Sequence, residues 1–230
     1  MTEYNYQAAT PEAEVDSRSD LPGGRNVLAV EGLPVGDLEA VTLSVAGGQC
    51  VAIGGTSGSG KTRLLRAIAD LDPVPGHIEY RMTLAGRDHL HFSGAEWRRR
   101  VAYVAAESQW WFDDVARHFS VTPDAEHYQA LGLDISILQR PVSHLSTGER
   151  QRLALLRVLV QQPQVLLLDE PTASLDPVAA RAVEQVIEDY RQRHQAAVLW
   201  VSHDPAQIQR VSQRYLRLDQ GRLIEQAARV

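Results

Sequence analysis

Residues 54–62 read GGTSGSGKT, and Lys61 within them is the only lysine among the chain's 23 lysines and arginines. Gly55, four residues, then Gly60-Lys61-Thr62 is a complete G-x-x-x-x-G-K-[ST] pattern. Its chemistry follows from the residue types. The glycines let the backbone wrap a chain of phosphates, the amides that open the next helix aim their N–H groups at it, and a compact ammonium reaches between two phosphates. Gly55, Thr56, Ser57, Gly58, Ser59, Gly60, Lys61 and Thr62 are therefore the candidate nucleotide-binding residues, with Thr62 also offering a hydroxyl to Mg²⁺. A chance glycine-serine linker is a poor alternative. CVAIGG before the loop reads as a strand and TRLLRAIADL (62–71) after it has apolar residues at helical spacing, which is the context the mechanism needs.

Outward from the loop, strands alternate with helices, which implies an α/β fold. NVLAV and AVTLSV are short β-branched runs. QVLLLDE is a continuous apolar run of the kind buried on both faces of a parallel sheet. PVAARAVEQVIEDYRQRH reads as a helix, AAVLWVSHD as another strand, and RYLRLDQGRLIEQ as a hairpin turning at Gly221. Residues 95–162 read as mostly helical, with GERQRLALLRVLVQ the clearest amphipathic piece. Residues 1–24 read as a disordered acidic leader and 25–230 as one domain, with 96–162 a helical subdomain inserted in it.

Composition removes several classes of function. Nowhere do 18 apolar residues run together, and the N-terminus lacks the basic start and apolar stretch of a signal peptide, so the chain is expected in the cytosol. The net charge is −6, and Glu3, Glu12, Glu14, Asp16 and Asp20 against Arg18 carry four of those charges. The rest is near neutral, without the clustered basic face that nucleic acid requires. Arg98, Arg99 and Arg100 read as a solvated helix face. Cys50 is the single cysteine; it reads as a small buried packing residue. Asp88, His89 and His91 read as polar loop residues, since no further ligand cluster follows.

A phosphate-binding loop needs a second Mg²⁺ contact and a group that orients water. Both are available in VLLLDE, where Asp169 ends the strand beside Mg²⁺ and Glu170 is placed to polarise water. With these in view, LSTGERQ (145–151) resembles the signature of the ABC ATPases. It stands just before a long helix and ahead of Asp169-Glu170. ASLD, ending at Asp176, is similar to that family's D-loop, and His203 in VSHD to its switch histidine. A GTPase or kinase on the same loop would leave LSTGERQ and His203 unexplained.

The resemblance implies a P-loop NTPase (RecA-like) core with an N-terminal antiparallel β subdomain and an inserted helical signature subdomain. It implies ATP and Mg²⁺ as cofactors and head-to-tail pairing with a second nucleotide-binding domain, here another copy. ATP would lie between Lys61, Asp169, Glu170 and His203 of one copy and Ser146 and Gly148 of the other, with Asp176 also at the nucleotide. It further implies a transmembrane permease on a separate chain, so that this chain sits peripherally on the inner face of the membrane. A non-transport ABC ATPase in a soluble complex is the other class. Strings around His203 and in SILQRPVSHLSTGERQR look like a bacterial subgroup linked to metal (iron) export.

Two departures from the family pattern stand out. The family places an aromatic residue before the P-loop to stack on adenine; VEGLPVGDLEAV has none, and Val35 or a neighbour falls there. The family's loop Gln after the YV strand is Ala106 here. Glu107 is adjacent, with Gln109 beyond it, and either Glu107 takes the Mg²⁺-side role or the loop is only a hinge. Trp110, Trp111 and Phe112 follow. Adjacent aromatics cannot share one core face, so at least one is expected near the surface, suited to anchoring the permease.

Overall fold

Apolar runs buried on both faces form the centre of the molecule, and amphipathic pieces cover them. The computed structural model describes residues 26–74 and 78–226; the expected leader over 1–24 lies outside the described residues. The chain runs β1 (Asn26–Leu33), β2 (Val41–Ala46), β3 (Cys50–Gly54), α1 (Lys61–Ile68), β4 (Arg81–Leu84), β5 (Arg87–Asp88), α2 (Gly94–Arg100) and β6 (Val101–Val104). It continues through α3 (Ala125–Ala130), α4 (Thr147–Leu159), β7 (Val165–Asp169), α5 (Pro177–His194), β8 (Ala197–Val201), α6 (Pro205–Val211), β9 (Arg214–Asp219) and β10 (Arg222–Gln226).

Two sheets result. One is antiparallel, in the order β2-β1-β4-β5; the other runs β10-β9-β3-β8-β7-β6 and is parallel from β9 to β6. Every residue of β3, β7 and β8 is buried. Alternation along these strands sends Val51, Ile53, Val165 and Leu167 to one side, where they pack with α1 and the antiparallel sheet. Leu166, Leu168, Val198 and Trp200 go to the other side, under α4 and α5. Cys50 belongs to this second side, and burial pushes its thiol up to about 12, as suits an inert packing residue.

The expectation of a mostly helical 95–162 is corrected. Val101, Ala102 and Val104 are buried, and β6 pairs in parallel with β7, so residues 101–104 are a strand of the main sheet. The inserted part begins after β6 and is largely irregular, with 3-10 turns and the short α3 before α4. Helix α1 also stops sooner than TRLLRAIADL suggested, because Asp70 takes a left-handed φ of 55°. The hairpin at Gly221 forms as expected, with Gln220 and Gly221 both at positive φ. Arg98 and Arg99 are exposed, and Arg98 pairs with Asp70 at 3.0 Å.

Trp97 joins the pieces around α1. It is 1% exposed, and its indole N–H donates to the Ile68 carbonyl at 2.9 Å, closing the C-terminus of α1 against α2. Trp97→Ala should lower the unfolding free energy by about 3–5 kcal/mol, read from urea denaturation.

Candidate functional site

The parallel register sets the site. Ile53 on β3 lies beside Val201 on β8, which lies beside Asp169 on β7, so three strands end at one level. Each then departs into a segment singled out in the sequence. From β3 the chain enters the glycine loop, where Gly55, Gly58 and Gly60 take φ values of 140°, 77° and 103°. At Gly55 a side chain would also collide with the Leu218 carbonyl, so only glycine serves there. Gly60 caps α1 without any side-chain acceptor, which leaves the first amides of the helix free to meet an anion.

Lys61 begins α1 and is 6% exposed. Its ammonium donates to the carbonyls of Gly55 at 3.0 Å and Thr56 at 2.8 Å, so the loop closes around its own cation. Burial lowers its pKa, against the opposing charges of Glu170 and Asp169.

From β7 come the two carboxylates. Asp169 is 3% exposed and accepts a hydrogen bond from the Tyr103 hydroxyl at 2.9 Å. Burial first, then the Asp169 charge, raises the pKa of that phenol, so it remains a donor. Glu170 turns out of the strand at a left-handed φ of 48°, and its N–H donates to the Val201 carbonyl at 3.1 Å. This turn carries the side chain across to β8, where Glu170 Oε1 lies 3.1 Å from His203 Nε2. The Glu170 carboxyl is held above the usual glutamate range, chiefly by burial and also by Asp169, against the pull of His203 and Lys61. A buried aspartate with a single protein donor, and the Thr62 hydroxyl one residue beyond the lysine, are hard oxygen groups of the kind Mg²⁺ takes. Tyr103 was not singled out in the sequence. Its only signal is a tyrosine in a strand otherwise made of small and apolar residues.

The segments behind Glu170 and His203 are tied together beneath the site. Gln207 on α6, 5% exposed, donates to Thr172 Oγ1 and to Glu184 Oε1 on α5, both at 2.8 Å. Arg210 donates to both Glu184 oxygens, at 2.9 and 3.2 Å. These donors hold the Glu184 carboxyl below its usual range despite burial.

The signature residues are held by bonds of their own at the start of α4. Ser146 caps α4 in a reciprocal box: its hydroxyl accepts from the Glu149 N–H at 3.2 Å, and Glu149 accepts from the Ser146 N–H at 2.8 Å. Gly148 abuts the ASLD turn, where an added β-carbon would meet Leu175 at 3.1 Å. Among the described residues no hydrogen bond or ion pair joins Ser146 or Gly148 to Lys61, Asp169 or Glu170. Asp176 serves as the N-cap of α5, accepting from the Val178 and Ala179 amides at 2.9 and 3.0 Å, so its carboxylate shapes the turn.

After β6 the departures are informative. Glu107 is exposed and makes no hydrogen bond or ion pair among the described residues; the side chain that reaches Asp169 is Tyr103. Gln151 of α4 donates to the Ala105 carbonyl at 2.9 Å, which fastens the start of this loop to the signature helix. The aromatic run folds around His118, which sequence reading passed over. The Trp111 and Phe112 amides both donate to His118 Nε2 at 3.1 Å, while Nδ1 faces the Asp114 carbonyl at 3.1 Å. Two donors on Nε2 require it to be unprotonated, and burial lowers the pKa of the ring. Trp111 is 64% exposed, as expected for at least one aromatic here, with Arg157 over its ring at 4.9 Å. No cluster of metal-ligating groups occurs among the described residues.

Known proteins resemble this chain in sequence and in fold. The family described as "ABC transporter" matches residues 38–173. Protein STAR1 of Oryza sativa subsp. japonica is 35% identical over 200 residues, covering 82% of this chain and 57% of its own length. The molybdenum import ATP-binding protein ModC of Rhodobacter capsulatus is 32% identical over 205 residues, covering 78% of this chain and 52% of its own. The chain thus spans little more than half the length of these two relatives. A dimeric post-hydrolysis ATP-binding cassette bound to ADP and Pi superposes with a TM-score of 0.73 at 20% identity, over 88% of this chain and 99% of that one, a likeness of fold. The chain belongs to the ABC transporter family.

Tyr103→Phe removes the one hydrogen bond that Asp169 accepts from a side chain among the described residues. Stability should fall by about 1–3 kcal/mol, read as a lowered urea midpoint with an unchanged slope.

Proposed function

We propose that this chain is the Mg²⁺-dependent ATP-hydrolysing subunit of a membrane transporter, acting through ATP-driven head-to-tail pairing of two copies. The observation that carries the reading is the 3.1 Å approach of Glu170 and His203, beside buried Asp169 and level with the end of the glycine loop. In this reading the loop amides from Gly55 to Thr62 and the Lys61 ammonium hold the phosphates. Thr62 and Asp169 hold Mg²⁺, which when bound offsets charge on the phosphate oxygens. Glu170, with its raised pKa, accepts a proton from water, and His203 contacts the γ-phosphate and Glu170 together.

The second copy supplies Ser146 and Gly148. Ser146 and Gly148 make no hydrogen bond to Lys61 or Glu170 within one chain, and the helix start they form is suited to an anion arriving from across an interface. Asp176 acts by shaping the D-loop at that interface. Glu107 is assigned no Mg²⁺ contact, and Tyr103 takes the place beside Asp169.

The permease sits on a separate chain, and this subunit lies against the inner face of the membrane; no helix among the described residues is long and apolar enough to cross it. Exposed Trp111 suits the permease contact, and nucleic acid is not a partner. Cargo is a property of the permease. ModC is named for molybdenum import, so export of iron rests on the string resemblance alone. A soluble, non-transport ABC complex is the competing class; crosslinking in membranes through a cysteine introduced at Trp111 that recovered only soluble proteins would favour it.

Glu170→Gln should retain MgATP binding, lose about 100-fold or more in turnover, and accumulate as an ATP-bound dimer on size exclusion. In the unmodified chain turnover should fall as pH drops through the raised Glu170 pKa, above the ordinary glutamate range, since only the ionised carboxylate accepts a proton. Lys61→Arg should lose ATP turnover despite keeping its charge, because a planar five-donor group does not fit the carbonyl cradle; near-normal turnover in a colorimetric phosphate assay would show lysine's shape to be unimportant.

A further inference from the structure

The base of ATP lacks the aromatic platform that the family pattern leads one to expect, and Val35, which falls near its position, is 4% exposed and offers no flat face. A cavity of about 520 Å³ nevertheless borders the glycine loop, between Leu38, the loop itself and Gly221. Asp37, Asp219 and Gln220 also line it, and Arg63 is its one cationic side chain. Arg63, in the first turn of α1, is exposed and forms no hydrogen bond or ion pair among the described residues. The other arginine of α1, Arg66, is engaged by Asp72 at 2.7 Å.

The Arg63 guanidinium lies over Gly36. A β-carbon added at Gly36 would overlap its central carbon and both terminal nitrogens together, so the group turns a face, and not an edge, to that glycine. Gly36 has φ 54° and does not itself line the cavity, whereas Arg63 does. An unpaired guanidinium plane beside such a cavity is available as a stacking surface for a nucleobase, through cation–π attraction and plane-to-plane contact.

We propose that Arg63 is the base platform of this ATPase, lying over Gly36, whose φ of 54° favours glycine, with Leu38 filling the cavity wall beside Gly60. The inference rests on the reading that the glycine loop holds the phosphates of ATP. It assigns Arg63 to the base and not to the phosphates, which separates it from the role of Lys61.

Calorimetric titration of the full chain with MgATP and with magnesium tripolyphosphate, which has phosphates and no base, tests the assignment. Arg63→Ala should raise the Kd for MgATP about tenfold and leave that for tripolyphosphate unchanged; Arg63→Trp should restore MgATP binding. Equal weakening of both ligands would make Arg63 a phosphate contact, and no weakening of either would make it a bystander; both results overturn the proposal. Lys61→Ala is the control for the underlying reading: it should weaken both ligands, and its failure to do so would reject the phosphate loop itself, whatever Arg63 does.

Discussion

The level ending of β3, β8 and β7 is the constraint on which the site depends. Parallel strands that start in register also finish in register, and here Ile53, Val201 and Asp169 finish side by side. Two backbone hydrogen bonds carry the alignment past the last ladder pairs, from the Glu170 N–H to the Val201 carbonyl and from the Ser202 N–H to the Ile53 carbonyl at 3.4 Å. A slip of one residue between β7 and β8 would turn every buried side chain of one strand to the other face and would part Glu170 from His203. The apolar uniformity of these strands and the proximity of the polar groups at their ends are therefore one property.

Polar groups that leave the sheet are secured by local devices. Ser146 and Glu149 fix the entry to α4, Asp176 that to α5, and Asp204, accepting from the Ala206 N–H at 2.9 Å, that to α6. Each places a turn relative to a rigid helix. The Gln207 and Glu184 bonds then link α6 to α5 below, so His203 and the turn after Glu170 share a common base. A buried carboxylate with four nitrogen donors from three residues is stable only while all of them stay in place.

Most of this was legible in the sequence, for reasons that differ by element. Strands buried on both faces announce themselves as apolar runs, and the glycine loop is constrained residue by residue by its backbone, so β3, β7, β8 and residues 54–62 are read directly. The long stretch between β6 and α4 was misread because it follows no period: its 3-10 turns and bends are held by side-chain bonds such as those to His118, and amphipathic spacing carries no trace of them. VAYV was too short to separate from the arginine-rich helix before it, and only pairing with β7 defines it. Tyr103 and Arg63 were overlooked because their positions depend on contacts across the fold, to Asp169 and to Gly36. The loop carboxylate Glu107 drew attention by adjacency in sequence; it is exposed, and the hydrogen bond to Asp169 comes from Tyr103.

The lone lysine has a consequence outside the chemistry of phosphate. Reagents that acylate amines find, besides the chain's α-amino group, a single side chain to modify, and that side chain is nearly enclosed, held between two carbonyls and depressed in basicity. Wherever the loop opens or fills, the acylation rate at this one nitrogen changes with it. The molecule thus carries its own mass-spectrometric label for the state of the loop, with no second lysine to blur the signal.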